Sequence, residues 1–132
     1  MQSNHVKTRF SLRSLIALTT FVAVLFTAFI WLAPGVTVTV RNSGATSLHD
    51  LHVHVTGRTY ELGDISSGAI KKCTVRSTGE SHVEISYRLT DGTMRRHTVD
   101  CYFESGYRGT VDAEIGDGGL IRSSHQIRHS IL

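Results

Sequence analysis

From Leu15 to Ala33 the chain runs nineteen residues without a charge, LIALTTFVAVLFTAFIWLA, before its hydrophobic period changes. At about 1.5 Å per helical residue this stretch reaches roughly 28 Å, close to the roughly 30 Å hydrocarbon core of a bilayer. Its polar members are Thr19, Thr20 and Thr27, each spaced to bond a carbonyl one turn back. A buried core helix, a cleaved signal peptide and a permanent anchor all begin from such a run. A core helix is normally amphipathic, whereas this one is apolar all round. A signal peptide has a shorter apolar region and ends in small residues, but Ala33 has Trp31 two residues before it and Pro34 after it. The pattern therefore predicts a transmembrane helix over 15–33, with Trp31 at headgroup level and Pro34-Gly35 ending it.

Beyond Gly35 the pattern alternates. Val36, Val38 and Val40 share one face and Thr37 and Thr39 the other, the signature of a half-buried strand. Asn42-Ser43-Gly44 reads as a turn. Leu51, Val53 and Val55 form the core side of a second strand, with His52 and His54 opposite. A third strand is expected over Thr59 to Leu62, followed by a loop from Gly63 to Gly68, and a fourth over Lys71 to Arg76. Val83, Ile85, Tyr87 and Leu89 mark a fifth strand, Val99, Cys101 and Phe103 a sixth, and Val111, Ala113 and Ile115 a seventh. Seven short strands about 8 to 12 residues apart, with glycine-containing turns, predict an all-β fold: a small seven-stranded antiparallel sandwich over 36–115. The remaining 116–132 opens with three glycines in four residues and is expected to be a flexible tail. Ile127, Ile131 and Leu132 are spaced to form one helical turn against a partner.

Charge adds direction to this outline. The 132 residues carry a formal net charge of +3, yet eleven basic residues face eleven acidic ones beyond Pro34. The excess is Lys7, Arg9 and Arg13, in a basic tail over 1–14, and the first acidic residue is Asp50. Basic residues stay on the cytoplasmic side of a span, so the N-terminus is expected in the cytoplasm and the sandwich in the periplasm or outside the cell. A neutral outer domain gives no reason to expect nucleic acid as a partner.

Two stretches resemble known groups. Arg9-Phe10-Ser11-Leu12-Arg13, running straight into the apolar stretch, resembles the leader of short single-span membrane proteins of planctomycete-type bacteria, most of which have no assigned role; the likeness implies an anchor and no chemistry. The run Val38-Thr39-Val40-Arg41-Asn42-Ser43-Gly44, followed by Tyr60-Glu61-Leu62-Gly63-Asp64-Ile65 and then Gly68, is similar to bacterial immunoglobulin-like domains found outside the membrane. In those domains it links two strands near one end of the sandwich. The Cys…Trp…Cys spacing of true immunoglobulin domains is missing, since the only Trp lies in the apolar run.

Candidate chemistry is sparse. The serines lie in turns or on strand faces, without a GxSxG elbow, and there is no P-loop, so no catalytic residue is assigned and an enzyme is not expected. Glu84 and Asp100 would oppose each other on an outward face if Ile85 pairs with Val99, a tolerated repulsion rather than an acid–base pair. His49, His52 and His54 are the candidate metal ligands. Residues two apart on a strand project from one face with roots about 7 Å apart, a spacing that can bring two nitrogens to one ion. As plain solvated surface, each imidazole would instead titrate near about 6.5. His97 falls in phase with Val99 and Cys101, so burial at an end of the sandwich is expected for it. Cys73 and Cys101 are both in core phase. If Val75 pairs with Val83, the cysteine strands flank one central strand, about 9.6 Å apart, beyond the roughly 7 Å a disulfide tolerates. Two buried thiols are expected.

These residues predict a single-pass membrane protein carrying an exported sandwich that binds a protein or surface polymer through loops and an exposed sheet edge. No cofactor and no small-molecule substrate are implied. The alternative is a membrane-tethered metal-binding or metal-delivery module that uses the histidine face.

Overall fold

A computed structural model describes residues 11–31 and 35–129, the side chains of 29–31 excepted. The chain divides into two units, Met1–Ala33 and Pro34–Leu132. In the first, helix α1 covers Leu12–Trp31. Ser11 caps it, its Oγ accepting from the Ser14 amide at 3.2 Å. Thr19, Thr20 and Thr27 donate to the carbonyls of Leu15, Ile16 and Ala23 at 2.8–2.9 Å, so the polar atoms of the apolar run are satisfied within the helix. Leu15, Ile16, Leu18, Phe21, Val22, Val24, Leu25 and Phe26 are exposed, and they lie on every face. Among the described residues no helix is long and apolar enough to cross a membrane. The described side chains stop at Ala28, whereas the uncharged sequence continues to Ala33. Arg9, Phe10, Pro34, Ile131, Leu132 and the Trp31 side chain lie outside the described residues.

The second unit is a sandwich of eight strands: β1 Val36–Asn42, β2 Leu48–Val55, β3 Arg58–Ile65, β4 Ile70–Val75, β5 Ser81–Arg88, β6 Met94–Phe103, β7 Arg108–Gly116 and β8 Gly119–Arg128. One sheet has the order β4-β1-β7-β8 and the other β3-β2-β5-β6. Alternating Val, Ile, Leu, Tyr and Phe side chains from both inner faces fill the space between them, and Val38, Leu51, Val53, Ile85 and Val111 are fully buried. Asn42 is the buried polar anchor at one end. Its Nδ2 donates to the carbonyls of Thr46 and Ile65, and its Oδ1 accepts from the Gly44 amide. This tethers the turn that the sequence places at Asn42-Ser43-Gly44.

Several expectations are corrected. Among the described residues there are eight strands, because residues expected to form a flexible tail or a helical turn at Ile127 make β8 instead. Gly116 pairs with Gly119 around Asp117-Gly118, and β8 then runs antiparallel to β7. The sandwich is not wholly antiparallel, since β1 and β7 run parallel. β3 continues to Ile65 through the stretch expected to be a loop. β4 joins β1, with Cys73 opposite Val38, rather than β5, so Val75 does not pair with Val83. The β5–β6 hairpin puts Val83 opposite Val99 and Ile85 opposite His97. Its tight turn, with the Gly92 amide bonded to the Leu89 carbonyl at 2.9 Å, moves the pairing two residues from the expected register. A shift near Ser81, opposite Phe103, restores that register only at the far end of the hairpin.

Both cysteines are free thiols, as expected but for a different reason, and only Cys101 is buried; Cys73, expected to be buried too, is half-buried. Cys73 lies on an edge strand of one sheet and Cys101 on an edge strand of the other. β4 packs against β3 and β6 against β8, so the two thiols occupy opposite sides of the sandwich. Burial pushes the Cys73 thiol up to about 11 and also raises that of Cys101, which favours the protonated thiol at both.

Candidate functional site

The outward face of the β3-β2-β5-β6 sheet carries the candidate histidines, and alternation along β2 explains why. With Leu51, Val53 and Val55 in the core, His52 and His54 must point out. Register then supplies their neighbours: His52 lies between Glu61 and Ser86, and His54 between Thr59 and Glu84. The two rings stack with centroids 6.0 Å apart and planes 11° from parallel.

Both nitrogens of His54 are occupied. Nδ1 lies 2.9 Å from Thr59 Oγ1 and Nε2 lies 2.7 Å from the buried Ser86 Oγ. His54 titrates below its ordinary 6.5, chiefly because burial disfavours the imidazolium; Glu84 opposes this, while Arg96 and His52 add to the lowering. The expectation that it behaves as plain solvated surface is corrected by these neighbours. His52 Nδ1 donates to the Asp50 carbonyl at 2.7 Å, which leaves Nε2 as the acceptor, 3.7 Å from Glu61 Oε1. That pair becomes attractive only when His52 is protonated.

His49 sits at a break in the strand. The β2 register shifts on both sides of Leu51, and Asp50 adopts φ 49°, a left-handed conformation that Asp tolerates better than most residues. The irregularity lets Leu48 and Leu51 both reach the core and gives His49 and Asp50 their own partners. His49 Nδ1 lies 2.9 Å from Asp64 Oδ2, and the Asp50 amide donates to Asp64 Oδ1 at 3.1 Å. These two hydrogen bonds, His49 first, hold the Asp64 carboxyl below its usual range. The Asp50 carboxylate pairs with Arg88 at 2.9 Å.

The three candidate ligands are therefore not brought together around one point. His49 is committed to Asp64 and His54 to two hydroxyls, and the parallel rings of His52 and His54 do not converge. Among the described residues, no group of three or more His, Cys, Asp or Glu side chains is arranged to hold a metal ion. Glu84 does not face Asp100 either. It pairs across the strands with Thr98 and takes Arg96 as its ion-pair partner at 3.0 Å.

His97 is half-buried on the inner side, its Nε2 3.1 Å from the hydroxyl of buried Tyr87. It lies beneath Gly119, where a side-chain Cβ would come within 2.9 Å of its ring. Gly119, at φ 115°, is thus required twice over, by its backbone and by this close approach.

Sequence reasoning missed two further features. One is a cleft of about 370 Å³ at the end of the sandwich, lined by Asn42, Gly44, Leu48, Leu89, Asp91 and Asp117. The signal for it was the three glycine-containing turns that meet there. The other is β8, an edge strand whose side chains from Ile121 to Gln126 are all exposed. The Asp117-Gly118 dipeptide before it is a standard two-residue hairpin signal.

No family model matches the chain, and no curated protein matches it in sequence. A solved structure described as an NMR structure of a protein from Eubacterium rectale is similar to it, with TM-score 0.48 and 10% identity over 74% of this chain and 92% of that one.

Proposed function

We propose that the protein is a membrane-anchored, exported β-sandwich that serves as a binding or structural module for a protein or surface polymer. The observation that carries this reading is the helix. Its apolar side chains are exposed on every face, from Leu15 to Phe26, and its threonine hydroxyls are all spent on its own backbone. A helix apolar all round is stable where its surroundings are also apolar, and nineteen uncharged residues match a bilayer core. Lys7, Arg9 and Arg13 before it orient the N-terminus toward the cytoplasm and the sandwich to the other side.

Binding is favoured over catalysis because polar groups of the histidine face are bonded to one another, while among the described residues the end cleft and the outer sides of the edge strands have no strand against them. The test is a pair of export-dependent reporter fusions in a bacterial host. A reporter joined after Ser43 should be active outside the cytoplasm, one joined before Phe10 should be silent, and the full chain should sediment with membranes. Activity from the early fusion, or a mature N-terminus near Pro34, contradicts the reading.

A further inference from the structure

The two ends of the sandwich differ in charge. Where β1 begins, register gathers arginines along one rung of the β4-β1-β7-β8 sheet. Val36 pairs with Val75 on one side and Gly109 on the other, so one step earlier Gly35 lies between Arg76 and Arg108. A Cβ at Gly35 would come within 3.3 Å of the Arg76 side chain, and Arg108 pairs directly with Arg128. Arg58 opens β3 at the same end of the other sheet, because the Tyr60 hydroxyl two residues on accepts from the Arg76 amide at 2.9 Å. Within the turns and strand ends here, 55–58, 75–81, 103–108 and 128, the acidic residues are Glu80 and Glu104. The Glu104 carboxylate accepts from the Tyr102 hydroxyl. The corresponding residues of the opposite end, 42–48, 65–70, 88–94 and 116–119, carry Asp91, Asp117 and Arg88, the last paired with Asp50.

Arg108 and Arg128 are exposed, on the outward phase that alternates with Val111, Ala113 and Ile115, and neither is in an ion pair among the described residues. Like charges directly opposite destabilise a sheet, a cost that an anion lying against both would relieve. The covalent chain says which anion is at hand. The uncharged run ends at Ala33 and β1 begins at Val36, so Pro34 and Gly35 alone join them. At about 3.8 Å between consecutive Cα atoms, Val36 lies no more than about 11 Å from Ala33. With the run in a bilayer, that reach holds the start of β1 at the headgroup layer. Arginine suits this layer, since its stem lies along apolar surface while the guanidinium grips phosphate oxygens in pairs.

We infer that the arginine end of the sandwich docks on an anionic phospholipid surface, with Arg58, Arg108 and Arg128 against the headgroup phosphates. The inference rests on the membrane-anchor reading and deepens it by naming a surface that the exported domain meets. The short tether makes the contact intramolecular, so a modest excess of positive charge is effective. Docking in this way turns the end cleft, with Asp91 and Asp117, away from the lipid and toward other partners.

The test places the full chain in nanodiscs of phosphatidylcholine, alone or with phosphatidylglycerol added, and follows amide hydrogen exchange by mass spectrometry. The turns 76–80 and 104–107 should exchange severalfold more slowly with phosphatidylglycerol, and the opposite turns 43–47 and 89–93 at the same rate in both. Salt at about 0.5 M should abolish the difference, because the screening length then falls to about 4 Å. Arg108→Gln with Arg128→Gln, both at exposed positions, should lose most of it. Arg41→Gln with Arg122→Gln removes the same charge from exposed positions farther along the same sheet and should keep it. Equal exchange in both nanodiscs, protection indifferent to salt, or equal losses in the two double variants overturns the inference and leaves the anchor reading standing. The same protection from soluble glycerol phosphate in phosphatidylcholine nanodiscs also overturns it, since the ligand is then a free anion and not a surface. Protein that stays outside the nanodiscs overturns the inference and the anchor reading together.

Discussion

Across the outward face of the β3-β2-β5-β6 sheet, His54 has a hydroxyl against each ring nitrogen and Glu84 holds Arg96, whereas along β8 six consecutive side chains, Ile121 to Gln126, are exposed. Both stretches are rich in polar residues. The difference is position. β2 and β5 have strands on both sides, so every outward side chain has cross-strand neighbours within reach, and polar groups there satisfy one another. Among the described residues β8 has one neighbouring strand, and its side chains from Ile121 to Gln126 are exposed. A polar residue is thus no guide to availability until its strand's place in the sheet is known.

The sharpest way to break this comparison is through the packing beneath each stretch. Ile85 is fully buried directly under the histidine face, and Ile85→Ala should cost about 2–5 kcal/mol of stability. Ile121 on β8 is 63% exposed, and Ile121→Ala should change stability by no more than about 0.5 kcal/mol. Chemical denaturation of the two variants measures both. Comparable losses would mean that β8 is as deeply packed as β5.

A smaller effect comes from pH. The His54 imidazole has a folded-state pKa below the 6.5 of the unfolded chain. Between those two values the unfolded chain binds more protons than the folded one, so stability rises with pH there. Stability should therefore be complete above about 6.5, decline as the pH falls through that value, and level off below the folded pKa. Denaturation midpoints at a series of pH values should show a shallower acid loss for His54→Asn than for the natural chain. Equal slopes would mean that His54 is as free in the folded chain as in the unfolded one.

The outline of the sandwich was legible because alternation records which face is buried. Val36-Val38-Val40, Val83-Ile85-Tyr87 and Val111-Ala113-Ile115 each announced a one-sided strand, and each is one. Alternation does not record which strand lies alongside. A slip of two residues keeps every side chain on its face, so Val83 opposite Val99 and Ile85 opposite Val99 are equally compatible with the pattern. For the same reason β4 looked like a neighbour of β5 although it pairs with β1. β8 escaped because a strand exposed on both faces over most of its length has no hydrophobic period, and the glycines at 116, 118 and 119 read as flexibility rather than as a hairpin. At the candidate site the shared direction of His52 and His54 was legible. The Ser86, Thr59 and Asp64 partners were not, because they depend on register and on the irregularity at Asp50.

The contrast between a self-satisfied histidine face and an open strand edge is tested most directly by metal titration. For zinc or copper(II) to bind, His54 must give up Ser86 or Thr59, and no third side chain among the described residues converges to compensate. Calorimetry at neutral pH on the full chain, without a purification tag, should find no affinity at this face tighter than about 1 μM, equivalent to about −8 kcal/mol. The His52→Asn and His54→Asn double variant should give the same isotherm. Submicromolar binding that the double variant abolishes would contradict the account and make the histidine face the functional site.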